Sequence, residues 1–87
     1  MFGGKAEYVS LLCHESLAGV VIDRFGKDVN IMKSDEKTFV AIVEASISPV
    51  FMSWIMSFGK KVEVISPLSL KNKIKENAKE ILEKYKK

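Results

Sequence analysis

One stretch decides the fold: Thr38-Phe39-Val40-Ala41-Ile42-Val43-Glu44-Ala45. Phe39, Ala41 and Val43 fall on one side of an extended chain, because successive side chains of a strand point in opposite directions. Val40 and Ile42 fall on the other side. Apolar residues on both sides are typical of a strand inside a sheet. The stretch therefore predicts a central strand, around which the other elements must be arranged.

The residues before this strand predict another strand, a helix and a hairpin. Glu7 to Cys13 is short and β-rich, and reads as the first strand. Apolar residues then recur at the spacing of an amphipathic helix: Leu17, Val20, Val21 and Phe25. Ser16 is its candidate cap and Gly26 closes it. Val29 to Met32 alternates, and the polar quartet Ser34 to Lys37 supplies the turn into the central strand.

The residues after it predict a second helix, a fourth strand and a third helix. Ser48-Pro49 opens the second helix, since serine accepts a bond from a free amide and proline suits the first helical position. Its apolar residues are Phe51, Trp54, Ile55 and Phe58, of which Trp54 and Phe58 are expected to face the sheet as core residues, and Gly59 ends it. Val62 to Ile65 is the fourth strand. The last helix carries Leu70, Ile74, Ala78, Ile81, Leu82 and Tyr85 on one side.

The element order is β-α-β-β-α-β-α. Two β-α-β units joined by a hairpin predict an α+β fold of the ferredoxin-like kind, a four-stranded antiparallel sheet with two helices on one side. The sequence predicts a single domain over residues 1–87, with a core over 7–66 and an amphipathic helix over 67–87. That additional helix has three options, which are to cover the other side of the sheet, to pack at its edge, or to reach a neighbouring molecule.

Composition and charge narrow the function. At 47% hydrophobic, 87 residues suffice for one core. The net charge of +3 comes from the last seventeen residues, which contain seven lysines and three glutamates. A lysine-rich helix is usually a solvated face rather than a nucleic-acid patch. The longest apolar stretches, such as Val50 to Ile55, are too short to span a bilayer, and Met1 to Lys5 lacks the features of a secretion signal. A cytoplasmic protein without membrane contact is expected.

Metal, cofactor and catalytic chemistry are not expected. Cys13 and His14 are the only cysteine and histidine, and as neighbours on a strand they point to opposite sides. The sequence therefore predicts no internal disulfide, no metal site and no cofactor. No general base, carboxylate pair or oxyanion device accompanies Cys13 as a set, so it is expected to pack as a small apolar residue.

Several segments together resemble a known family. They are Leu11-Leu12-Cys13-His14, residues 16–26 with Asp-Arg-Phe-Gly, residues 43–49, residues 54–64 with Trp-x-x-x-Phe-Gly, and Pro67 before the last helix. In this order they resemble the C-terminal extension of WYL-domain bacterial transcription regulators. The resemblance runs from Met1 to Tyr85.

The resemblance implies a non-catalytic module that senses an effector or dimerises. Such regulators carry an N-terminal helix-turn-helix, a middle WYL domain and this extension, so residues 1–6 would be the connection from the WYL domain. The Trp-Tyr-Leu signature belongs to the middle domain, and no ligand-pocket residue can be transferred from it. The implied partners are a second copy, the other domains of the parent chain, and a small-molecule or nucleic-acid effector.

Four residues are candidate ligand or partner contacts. His14 follows the first strand, where it is either a polar strand end or a ligand contact. Arg24, the only arginine, either sits solvated near the carbonyls that end the first helix or clamps a phosphate or carboxylate. Phe39 and Tyr8 belong to an alternative interpretation, an RNA-recognition domain in which exposed rings of the sheet stack on bases. That interpretation fails if both rings are buried.

A small enzyme is the remaining alternative. Acylphosphatases share this size and element order, but their glycine-rich phosphate loop with an arginine has no counterpart in residues 14–18. Catalysis of that kind is therefore not expected.

Overall fold

A computed structural model describes residues 6–86. The chain runs through strand β1 (Ala6–His14), helix α1 (Ala18–Phe25), strands β2 (Asn30–Lys33) and β3 (Thr38–Ser46), helix α2 (Pro49–Met56), strand β4 (Val62–Ser66) and helix α3 (Leu68–Lys84). The predicted element order is confirmed. Of the predicted connection over residues 1–6, all but Ala6 lies outside the described residues.

The four strands form one antiparallel sheet in the order β2-β3-β1-β4. Leu11 of β1 lies opposite Ala41 of β3 on one side and Val64 of β4 on the other, while Ile31 of β2 lies opposite Ala41. The stretch that predicted a central strand is therefore inside the sheet. The α+β, ferredoxin-like class is confirmed, with α3 as the additional helix.

The core lies between one side of the sheet and the helices. Its buried residues on the sheet are Val9, Leu11, Cys13, Phe39, Ala41, Val43, Val62 and Val64. From the helices and their entry turns come Leu17, Val21, Phe51, Ile55 and Leu70. The buried residues alternate along each strand, over 9–13 in β1, 39–43 in β3 and 62–64 in β4. The opposite side of each strand is left to form a second surface.

The ends of the helices agree with the sequence in part. The Ser48 hydroxyl accepts the backbone N–H of Phe51 at 3.1 Å and opens α2 as predicted. Gly26 follows α1 with φ +93°, where a Cβ would be strained, and so ends it. The predicted cap at Ser16 is wrong: a 3-10 turn over Glu15–Leu17 precedes α1, and His14 caps it.

The end of α2 also differs. The helix stops at Met56, three residues before Gly59, and the Ser57 hydroxyl donates to the carbonyl of Trp54 at 2.6 Å. Gly59 does take the left-handed conformation, with φ +58°, and starts a 3-10 turn that leads into β4. Gly59 therefore makes the predicted left-handed turn, but it does not end α2 as predicted.

A carboxylate organises the β2-β3 hairpin. Asp35 Oδ1 accepts the backbone N–H of Lys37 at 2.8 Å and that of Thr38 at 3.0 Å. The bond from Lys37 is the main cause that lowers the pKa of Asp35 below its ordinary value, since hydrogen bonds to a carboxylate favour its charged form. The turn predicted from Ser34 to Lys37 thus has a specific stabilising group.

Helix α3 packs beside β4. Leu70 is fully buried and Ile74 packs against the core, which ties the first turns of α3 to the helix-covered side of the sheet. The later apolar residues Ile81, Leu82 and Tyr85 are exposed. Of the three options for this helix, the structure shows packing at the edge. Within residues 6–86, no helix is both long and apolar enough to cross a bilayer.

Candidate functional site

The side of the sheet opposite α1 and α2 is the candidate site, and we call it the open face. The strand register arranges its side chains in rows across the sheet. The central row is Met32, Val40, Leu12 and Glu63, and the next is Asn30, Ile42 and Ser10. The outer rows are Thr38 with His14, and Glu44 with Tyr8, while Ile65 lies on the same side of β4 as Glu63.

Apolar side chains dominate the middle of the open face. Met32 is 49% exposed and Ile65 is 44% exposed, and Leu12, Val40 and Ile42 between them are partly exposed. The charged Glu44 and Glu63 lie towards the rim, at the end of β3 and on the edge strand β4. An apolar centre with a polar rim is the composition of a protein interaction surface.

His14 has a local structural role at one end of the open face. Its Nδ1 accepts the backbone N–H of Ser16 at 3.1 Å and lies 2.8 Å from the Ser16 hydroxyl. Because Nδ1 accepts a bond from the backbone, the neutral ring carries its proton on Nε2. Its imidazole also lines a cleft with Lys60 and Lys61. The structure thus shows the polar strand end, and the ligand contact stays a prediction.

Arg24 lies over aromatic rings on the helical side of the domain. Its guanidinium carbon is 5.7 Å from the centre of the Trp54 ring and 5.8 Å from that of Phe25. The Phe25 and Trp54 rings meet edge to face at 5.4 Å, and Trp54 meets Phe58 in the same way at 5.0 Å. This cluster joins α1 to α2. A guanidinium over ring faces is a cation–π contact, which gives Arg24 a packing role. Its contact with a phosphate or carboxylate stays a prediction.

Trp54 and Phe58 are predicted to be core residues that face the sheet. Both are partly buried and packed against the core. The buried residues of α2 are Phe51 and Ile55, whereas Trp54 contacts α1 through Phe25. The aromatic residues of α2 therefore hold the two helices to each other as well as to the sheet.

Tyr8 and Phe39 lie on opposite sides of the sheet. Tyr8 is 71% exposed on the open face, whereas Phe39 is 6% exposed and belongs to the core beneath the helices. The register explains this, because Phe39 lies opposite the buried Cys13, while Tyr8 lies opposite the exposed Glu44. The two rings cannot form one stacking surface for bases. Tyr8 remains a candidate contact, whereas the ring of Phe39 is buried in the core.

Cys13 is placed for packing. It is buried, and burial raises the pKa of its thiol to about 11, because an apolar surrounding disfavours the thiolate. At neutral pH the side chain is therefore a protonated thiol. Among residues 6–86, no three histidine, cysteine or acidic side chains are grouped in a way that could hold a metal ion.

Sequence reasoning missed most of the open face. Leu12, Met32, Val40, Ile42 and Ile65 were not among the candidate contacts, although the alternation in β3 had placed Val40 and Ile42 on a common side. The alternation of apolar residues in β1 and β3, taken together, could have identified them, because paired strands share the same two sides.

Comparison with known proteins agrees with the resemblance found in the sequence. The family model of the WCX domain matches residues 5–82. No curated protein and no solved structure matches the chain. The match covers both β-α-β units and most of α3. The chain belongs to the WCX domain family, which forms the C-terminal domain of WYL-containing regulators.

Proposed function

We propose that this domain is a non-catalytic regulatory module that associates with a second copy of itself through the open face of its sheet. The family supports the regulatory role. The observation that carries the self-association is the uncovered apolar centre of the open face, from Met32 across Val40 and Leu12 to Ile65. Burying apolar surface contributes roughly 25 cal/mol per Å² removed from water.

The dimensions of the open face indicate how strong this association is. Four strands spaced about 4.8 Å apart give a width of about 19 Å, and the nine residues of β1 give a length of about 30 Å. The face therefore offers on the order of 500 Å² per subunit, less than the roughly 800 Å² per partner of a standard stable interface. We expect a weak dimer in the isolated domain.

In a longer parent chain the same contact becomes stronger. Other contacts between two parent chains would hold the two open faces close, which raises their effective concentration. Self-association of these domains then sets the spacing of the DNA-reading domains. An effector that binds one arrangement better than another would shift the population between them, since a ligand acts only through such a difference.

Sedimentation velocity over concentrations up to about 1 mM tests the proposal. The wild-type domain should shift from monomer to dimer, and Met32→Lys should remain monomeric, because each dimer would bury two added charges. Val50→Lys is the matched control, since Val50 is 72% exposed on α2, away from the open face. Circular dichroism checks that all three proteins fold. A monomeric wild type, or equal dimerisation of Met32→Lys, would contradict the proposal.

A further inference from the structure

A concave groove lies between β4 and α3, apart from the open face. Its floor consists of four apolar side chains: Ile55, Val62, Val64 and Ile74. The cavity measures about 310 Å³, which is at the lower end of the range for small-molecule sites. Ile55, Val62 and Val64 also belong to the buried core, so packed side chains lie beneath the floor. The groove thus has an apolar base large enough for a small molecule.

The rim of the groove is positively charged. Lys71 and Lys75 lie one turn apart on α3, about 6 Å along its axis, and both line the groove together with Glu63 of β4. The part of the chain that the structure describes has one ion pair within 4.0 Å, between Lys86 and Glu83. Neither rim lysine is therefore neutralised by an ion pair, and the rim carries two ammonium groups and one carboxylate.

We propose that this groove binds a small amphiphilic carboxylate. Its apolar body would lie on the floor beside Val64 and Ile74, and its carboxylate would accept charge-assisted hydrogen bonds from Lys71 and Lys75. A neutral molecule of the same shape would leave the lysines unpaired, and a cationic one would be repelled. The binding needs no second copy of the domain, so it is expected even if self-association through the open face proves absent.

Decanoate is a suitable probe, titrated into the 87-residue protein by isothermal calorimetry below its micelle-forming concentration. We expect saturable binding with one site per chain and affinity that falls as salt rises, because a partly exposed charge contact is screened. Acetate lacks the apolar body and decanol lacks the charge, so both should bind at least several-fold more weakly. Decanol that binds as tightly as decanoate would overturn the proposal, as would the absence of saturable decanoate binding.

Variants of α3 locate the site. Lys71→Gln and Lys75→Gln should each weaken decanoate binding about threefold, and the double variant about tenfold, as expected for partly exposed ion pairs worth less than about 1 kcal/mol each. Lys79→Gln is the matched control, because Lys79 lies one turn further along the same helix and does not line the groove. If Lys79→Gln weakens binding as much as the rim variants do, the attraction is general to the basic helix and the proposed site is wrong.

Discussion

The attachment of α3 depends on one buried side chain, Leu70. Leu70 is fully buried, whereas most of the helix beyond it is exposed. Leu70→Ala removes three carbon groups worth about 0.8 kcal/mol each, or about 2.4 kcal/mol. The cavity that remains adds a further cost, so we expect a loss of about 3 kcal/mol in the free energy of unfolding. A domain of 87 residues has about 4 to 13 kcal/mol in total, so this is a large fraction.

Urea denaturation followed by circular dichroism measures this loss. Leu82→Ala provides the control, because it makes the same change on the same helix at a residue that is 58% exposed. It should cost less than about 0.5 kcal/mol, as surface substitutions usually do. If the two variants lose similar free energy, or if Leu70→Ala loses less than about 1 kcal/mol, then Leu70 does not anchor α3 and the packing argument is refuted.

Three further predictions concern Cys13, Asp35 and Arg24. The native protein should resist alkylation of Cys13 by iodoacetamide at about pH 8, because burial raises the pKa of the thiol to about 11, and rapid labelling seen by mass spectrometry would contradict its burial. The Asp35 carboxylate has a lowered pKa in the folded state, so its stabilisation is present above its ordinary pKa and lost as the pH falls through the lowered value. The Asp35→Asn variant should therefore be less stable than the wild type near pH 6, and this difference in stability should shrink as the pH falls. Thermal melts of both proteins between about pH 2 and pH 6 measure it, and a difference that stays constant would contradict the prediction. Arg24→Ala should shift the fluorescence of Trp54, the only tryptophan, to longer wavelength, because the guanidinium covers the indole. It should also lower the free energy of unfolding by about 0.5 to 1 kcal/mol. Unchanged emission would argue against that contact.

The fold was predictable because local patterns and global topology agree. The two-sided apolar pattern of β3 predicted its central position, and Ser48-Pro49 predicted the start of α2. The position of α3 was not predictable. Its apolar stripe continues from Leu70 to Tyr85 at the spacing of a helix face, but only its first turns pack against the sheet edge. Where a helix is longer than the surface on which it packs, the sequence alone does not show where its packed turns end and its exposed turns begin.

The candidate site was less predictable than the fold. Alternation separates the two sides of a strand, but it does not say which side the helices cover. Phe39 was a candidate surface ring under the RNA-recognition alternative and is in the core, since the β1-β3 register places it opposite Cys13. His14 was expected to act as a strand end or a ligand contact, and its bond to Ser16 depends on a turn that no periodicity indicates. Register and local turns were the missing information.

Nuclear magnetic resonance of the isotopically labelled domain tests self-association through the open face most directly. Backbone amide shifts would be recorded while the protein is diluted from about 1 mM to about 20 µM, the range in which a small interface should dissociate. We expect concentration-dependent shifts to cluster on β1, β3 and the adjoining edge strands around Leu12, Val40 and Ile42, with α1 and α2 unaffected. Shifts confined to the helices, or spectra that do not change over this range, would contradict the proposed function.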